Sequence, residues 1–172
     1  MRWLIDGYNL IRRDPDLRAR EAESLEAGRR ALLHLLARGH GDPRDEFTVV
    51  FDGARVASGA PPPGRIRTIF SRPPLTADDE LMRLARQWKS GAVVVSSDRK
   101  IQDAARRAGC AVLTADQFLE AMEFRGDPAT TNPATKDLDS DAEPVRDKRG
   151  NPRRLSKKAR RAQQALRRLR QP

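Results

Sequence analysis

The chain has 172 residues, 38% hydrophobic and 34% charged; that length predicts one domain plus an appendage, and no run nears the roughly 20 apolar residues of a membrane span. A single cysteine, Cys110, excludes an internal disulfide framework and a cysteine zinc site, and points to a reducing, cytoplasmic location. The formal charge of +10 is concentrated: from Val145 onward 12 Lys/Arg face one acid, Asp147, so that segment carries +11 and the rest of the chain −1.

In chain order, the opening MRWLIDGYNL lacks a signal-peptide layout, because an acid follows the first few residues. Arg2 to Ile5 reads as a short apolar strand stopped by Asp6-Gly7. Asp14-Pro15-Asp16 opens a long helical pattern, with Ala22, Leu25, Leu32, Leu33 and Leu36 near one face, ended by Gly39 to Pro43. Phe47 to Phe51 is a second strand and stops at Asp52-Gly53. After a Gly/Pro-rich loop through Ala60 to Gly64, Ile66 to Phe70 is a third. Thr76-Ala77-Asp78-Asp79 starts a helix carrying Leu81, Leu84, Ala85 and Trp88, closed by Gly91. Ala92 to Val95 is a buried-type strand ending at Ser96-Ser97-Asp98. Ile101, Ala104, Ala105 and Ala108 mark the next helix, stopped by Gly109. Ala111 to Leu113 is a fifth strand, and Thr114 with Gln117 has the spacing of a capping box for a helix with Phe118 and Met122.

Strands that alternate with helices, several as continuous apolar runs, predict an α/β domain with a mainly parallel sheet of about five strands over 1–125. Residues 126–144 hold three prolines and five acids without apolar periodicity, the composition of a flexible acidic linker. In the basic tail, 145–172, Leu155, Ala159, Ala162, Leu166 and Leu169 recur at helical spacing, which allows an amphipathic helix with Arg and Lys on its other faces.

Three strands stop at an aspartate (Asp6, Asp52 and Asp98), and Asp78-Asp79-Glu80 occupy the first turn of a helix. The carboxyl ends of parallel strands share one edge, so acids about 45 positions apart in sequence converge there. Carboxylates gathered at one edge repel one another unless a cation joins them, and oxygen donors without His or Cys suit Mg²⁺ or Mn²⁺. Such an ion suits phosphodiester hydrolysis. Asn9, one turn beyond Asp6, is placed to donate to a phosphate or to hold a metal-bound water. Taken singly, each acid also has a structural use: Asp6-Gly7 and Asp52-Gly53 as turns, Asp79 as the partner of a Thr76 cap, Asp98 as an N-cap.

Ile5-Asp6-Gly7-Tyr8-Asn9-Leu10-Ile11, Val50-Phe51-Asp52-Gly53, Thr76-Ala77-Asp78-Asp79 and Val95-Ser96-Ser97-Asp98 follow the order of a NYN domain. Over roughly residues 1–125 the chain resembles the YacP-like branch of that family, within the PIN-like nuclease superfamily. The resemblance implies a Rossmann-like α/β/α fold, a Mg²⁺-dependent acidic site and endoribonucleolytic cleavage of mRNA on the ribosome. Carried over motif by motif, it implies that Asp6, Asp78 or Asp79, and Asp98 are catalytic, with Asp6, Asp78 and Asp98 on the metal, and that Asn9 and Asp52 support them. Adjacent helical residues point about 100° apart, so only one of Asp78 and Asp79 is expected to face the metal. A haloacid-dehalogenase-type phosphatase needs a second aspartate two residues after the first, and Tyr8 stands there.

For RNA binding, Arg12, Arg13, Arg65, Arg67, Arg99 and Lys100, in or beside loops, are expected near the acidic edge, together with Arg55 and Arg72. In the tail, Arg153, Arg154, Lys157, Lys158, Arg160 and Arg161 supply the density that favours RNA over a membrane surface, since the apolar face is Ala-rich and lacks aromatics. Tyr8 suits either base stacking or rim packing. Trp3, Phe51, Trp88 and Cys110 read as core, His34 as structural beside an apolar stripe, and His40 as part of a loop. Two other readings share these features: a non-catalytic RNA- or ribosome-binding module on a nuclease scaffold, and a DNA-directed nuclease.

Overall fold

Five strands form one wholly parallel sheet in the order β3-β2-β1-β4-β5, with β1 Arg2–Asp6, β2 Glu46–Phe51, β3 Ile66–Phe70, β4 Ala92–Val95 and β5 Ala111–Leu113. The computed structural model describes residues 1–39, 44–53, 65–123 and 156–170. The α/β class and the five strands therefore agree with the alternation seen in the sequence. Successive side chains of a strand point to opposite faces, and here both faces are dry. Trp3, Ile5, Val49, Val93 and Val95 enter one core, while Leu4, Val50 and Val94 enter the other. The second core is closed by α4 (Ala77–Trp88) and α5 (Arg99–Ala108) through Leu81, Leu84, Ile101 and Ala105. The first is closed by α1 (Gly7–Arg13), α2 (Pro15–Glu23), α3 (Leu25–Gly39), α6 (Ala115–Glu123) and α7 (Lys157–Arg170). Helices on both faces give the three-layer α/β/α arrangement.

The segment before β2 differs from the single long helix expected after Asp14. It contains three helices, and two polar caps explain the breaks. Asp14 accepts from the Leu17 N–H at 2.9 Å and starts α2; Ser24 ends α2 and accepts from the Ala27 N–H at 3.0 Å to start α3. Leu25, at the first position of α3, is therefore 54% exposed, whereas Leu32 and Leu36 are fully buried. His34 is exposed rather than packed beside the stripe. The first helix, α1, starts directly after Asp6, against the Phe51 ring. A Cβ on Gly7 would fall 2.3 Å from that ring, so only glycine permits this approach.

Further on, Thr76 and Asp79 form a reciprocal capping box at the start of α4. That helix ends at Trp88, and a short 3₁₀ turn, Lys89–Gly91, leads into β4. Gly109 stops α5 with φ of 95°, the left-handed conformation that favours glycine. Trp3 and Phe51 are fully buried, and the Cys110 thiol is buried and donates to the Ala85 carbonyl at 3.4 Å.

The basic segment forms its amphipathic helix over Lys157–Arg170, and the apolar stripe is docked. Ala165 and Leu169 are 0% and 1% exposed in the cluster that contains Trp3, with Ala162 and Leu166 packed beside them. The helix lies against α6 and β5. Arg168 Nε stands 3.3 Å from the buried carboxylate of Asp45, which also receives the Met1 amino group at 2.6 Å. Lys158 and Arg161 donate to the main-chain oxygens of Arg106 and Ser90. Over these residues the tail is part of the domain wall. The linker 126–144, together with Arg55, His40, Arg153 and Arg154, lies outside the described residues. Among the described residues no helix is long and apolar enough to cross a membrane.

Candidate active site

The chain steps outward from β1 through β2 to β3, then crosses back to place β4 on the other side of β1. The crevice at the carboxyl ends of β1 and β4 is thus a topological switch point, where open α/β sheets form their sites. Asp6 ends β1, and Ser96, Ser97 and Asp98 follow β4. A cleft of about 420 Å³ opens there, lined by Asp6, Tyr8, Asn9, Arg12, Arg13, Asp52, Ala77, Asp78 and Asp98.

Short hydrogen bonds fix this edge. Asp6 caps α1 by accepting from the Asn9 N–H at 3.2 Å, and it accepts from the Ser96 hydroxyl at 3.0 Å. The Asn9 side-chain oxygen accepts from the Ser97 N–H at 2.9 Å, so α1 is tied across the crevice to the turn after β4. Asp98 caps α5 by accepting from the Ile101 N–H at 3.2 Å, and its own N–H donates to Ser96 Oγ at 3.1 Å. Ser96 therefore touches both acids. Gln102 Nε2 donates to the Ser96 carbonyl at 2.8 Å and pins the same turn from below. Across the cleft, Asp52 accepts from the Ser71 hydroxyl at 2.5 Å, and Asp78 faces Lys100 at 3.8 Å.

The cap expected at Asp98 is made, and Asp6, expected in a simple turn, is instead the N-cap of α1; both caps coexist with a place in the cleft. A carboxylate has two oxygens, and one suffices for the cap. Asp79 differs. Its Oδ2 accepts from the Thr76 N–H at 3.1 Å and from the Thr76 hydroxyl at 2.8 Å, and it does not line the cleft. Of the two neighbours only Asp78 lines the cleft, because successive residues in the first turn of α4 face different ways.

Burial raises the Asp6 carboxyl above its ordinary pKa; bonds from Asn9 and Ser96 oppose this, and the charges of Asp78 and Asp98 add to it. Burial and then Asp98 raise Asp78, against a lowering by Lys100. The Thr76 bonds lower Asp79. Asp6 and Asp78 are thus unfavourably charged, and Asp79 beside the cleft is not. Among the described residues no three His, Cys, Asp or Glu side chains are grouped closely enough to enclose a metal by themselves, so the all-protein cage is not formed. The donor set nevertheless fits a hydrated ion: Mg²⁺ is commonly held by one or two carboxylates, with water and phosphate oxygens completing its shell. Mutual repulsion between Asp6, Asp78 and Asp98 is what a divalent cation would relieve.

The cations divide. Arg12 and Arg13 line the cleft, and Lys100 reaches Asp78. Arg65 and Arg67 do not join them. They border a separate hollow with Arg2, Glu46 and Trp88, because β3 begins, rather than ends, at that side of the sheet. Two contributors carry no role of their own in the sequence reading: Ser96, fully buried and quoted there only within its motif, and Ser71, which follows β3 as Asp52 follows β2. The available signal was position, since each is the first polar residue past the end of its strand.

A doubly wound α/β/α domain with acids at its switch point has the layout of a nuclease-type, PIN-like domain. The family model described as YacP-like NYN domain matches residues 3–168, which carries the likeness beyond residue 125 and into α7. The uncharacterized protein YacP of Bacillus subtilis (strain 168) is 30% identical over 126 residues, 70% of this chain and 74% of that one. The crystal structure of Rae1 (YacP) from Bacillus subtilis matches with a TM-score of 0.59 at 28% identity, over 72% of this chain and 74% of that one. A single-residue mutant of the same protein matches equally, at 0.59 and 28%. The chain belongs to the YacP-like NYN domain family, and with it to nuclease-type proteins of RNA-related function.

Proposed function

We propose that this protein is a divalent-metal-dependent endoribonuclease that cleaves mRNA in the cytoplasm, at the ribosome. The observation that carries the reading is the switch-point cleft, where Asp6, Asp78 and Asp98 converge with Arg12 and Arg13 at the rim. Asp6, Asp78 and Asp98 would hold Mg²⁺ or Mn²⁺. A bound ion supplies Lewis-acid activation of water and offsets charge on the phosphate. In the reaction a water oxygen bonds to phosphorus as it gives up a proton to solvent, the P–O bond to the leaving strand breaks, and the leaving oxygen takes up a proton from solvent. Asn9 and Ser96 hold Asp6, and Asp52 with Ser71 forms the opposite rim. Arg12 and Arg13 receive the phosphate backbone.

Lys157, Arg160 and Arg167 on the exposed side of α7 offer a rigid cationic face to structured RNA, so binding falls steeply with salt. The ribosome as the place of action rests on the family resemblance. The test is cleavage of a labelled RNA with and without Mg²⁺. Cleavage requires the ion, and Asp6→Asn and Asp98→Asn each lower the rate by about a hundredfold or more while remaining folded. Undiminished cutting by both variants would refute the assignment. Tight RNA binding without cutting would favour the non-catalytic module, and equal cutting of matched single-stranded DNA the DNA-directed nuclease.

A further inference from the structure

Tyr8 sits on the wall of the acidic cleft, and its hydroxyl is held in an uncommon way. Arg29, reaching over from α3, donates to it twice, from Nε at 2.8 Å and from Nη2. The same guanidinium lies 5.2 Å from the Phe70 ring centroid and 5.6 Å from that of Phe51, at the carboxyl ends of β3 and β2. Tyr8 packs edge-on against Phe51, with centroids 5.4 Å apart. The guanidinium is thus a fixed, aromatic-backed fork. Both of its bonds fill the acceptor capacity of the phenolic oxygen. The O–H hydrogen is left over, and among the described residues no acceptor takes it. Arg12 stands 5.7 Å from the centroid of the Tyr8 ring, so the ring shares its surroundings with a cation and is a poor open platform for a base. What Tyr8 can offer a ligand is a single aimed proton, backed by positive charge. The matching acceptor is an anionic oxygen.

We propose that the Tyr8 hydroxyl is a substrate-binding donor that grips a non-bridging phosphate oxygen of the bound strand, and that Arg29 is the residue that positions it. This rests on the ribonuclease reading and extends it to how the strand is held beside the acids. A bond to a charged acceptor predicts that Tyr8→Phe weakens binding about tenfold in a chain that stays folded, with a lower melting temperature because the Arg29 donors lose their acceptor.

The experiment uses the full chain and a short fluorescent single-stranded RNA in EDTA, with the sequence-matched DNA as a second probe. Tyr8→Phe loses about tenfold on both probes, and in Mg²⁺ it raises KM while kcat stays near wild type. Arg29→Gln produces a similar loss. The double variant Tyr8→Phe/Arg29→Gln is no worse than either alone, because both changes remove one aimed donor. Wild-type affinity in folded Tyr8→Phe overturns the proposal. A loss confined to RNA overturns the phosphate assignment in favour of the ribose hydroxyl, and additive losses overturn the positioning role of Arg29. Failure of the wild-type chain itself to bind either probe brings down the nuclease reading, and this proposal with it.

Discussion

Leu169→Ala tests whether the basic helix belongs to the core. Leu169 is 1% exposed, in the same buried cluster as Trp3, Phe47 and Phe118. Removing its branched end forfeits the transfer free energy of the lost carbons and leaves a partly relaxed hole. Core Leu→Ala changes cost about 2–5 kcal/mol, and a helix joined to the domain on one side can settle inward, which favours about 2–3 kcal/mol here. For a chain of this size each kcal/mol moves the midpoint by about 2–4 °C, so melting falls by about 4–12 °C. The control is Arg167→Ala on the exposed side of the same helix, expected within about 0.5 kcal/mol of wild type. Far-UV circular dichroism melts and urea titrations read both variants. Truncation after residue 125 removes the whole contact and destabilises further. If Leu169→Ala melts with the wild type, α7 is a free arm and its docking is refuted.

Asp6 is held above the ordinary carboxyl range by burial, so the folded chain keeps a proton there that the unfolded chain gives up. Stability therefore declines as pH rises from the unfolded value through the folded one, and stays lower above it. Asp6→Asn keeps the cap acceptor and lacks the charge, so urea titrations at pH 4 to 8 show the variant gaining on the wild type as pH rises; a constant difference would contradict this. In the first turn of α4 the two neighbours separate: Asp78→Asn abolishes cleavage, while Asp79→Asn weakens the capping box and leaves cleavage intact, as single-turnover rates and thermal melts will show. Loss of cleavage in a well-folded Asp79→Asn would assign it to the chemistry.

Local features of this fold are written in the sequence. Both capping boxes, at Thr76/Asp79 and at Thr114/Gln117, follow from a three-residue spacing and are made as expected. The acidic edge is legible for a different reason: parallel strands all end on one side, so a residue's place after its strand locates it. What failed depended on distance. Asp6 ends a strand and caps the helix that begins at the next residue, and a glycine at that first position hides the helix from any propensity argument. Gly7 is there because of Phe51, which is far along the chain. Arg65 and Arg67, expected at the acidic edge from the loop beside them, stand beside Arg2 and Trp88 because of the strand direction. The stripe on α7 is visible in the sequence; the surface that covers it is not, because α6 and β5 lie on the far side of residues 126–144 from it.

That last contact bears on how the molecule is made. Trp3 and Leu169 belong to one apolar cluster, so the wall behind the first strand is finished by almost the last residues described. During translation every acid of the cleft has been synthesised by residue 98, yet the layer that supports β1 and β5 stays open until α7 leaves the exit tunnel. A newly made copy thus carries all the acids of its cleft before the layer that holds β1 and β5 in place is complete.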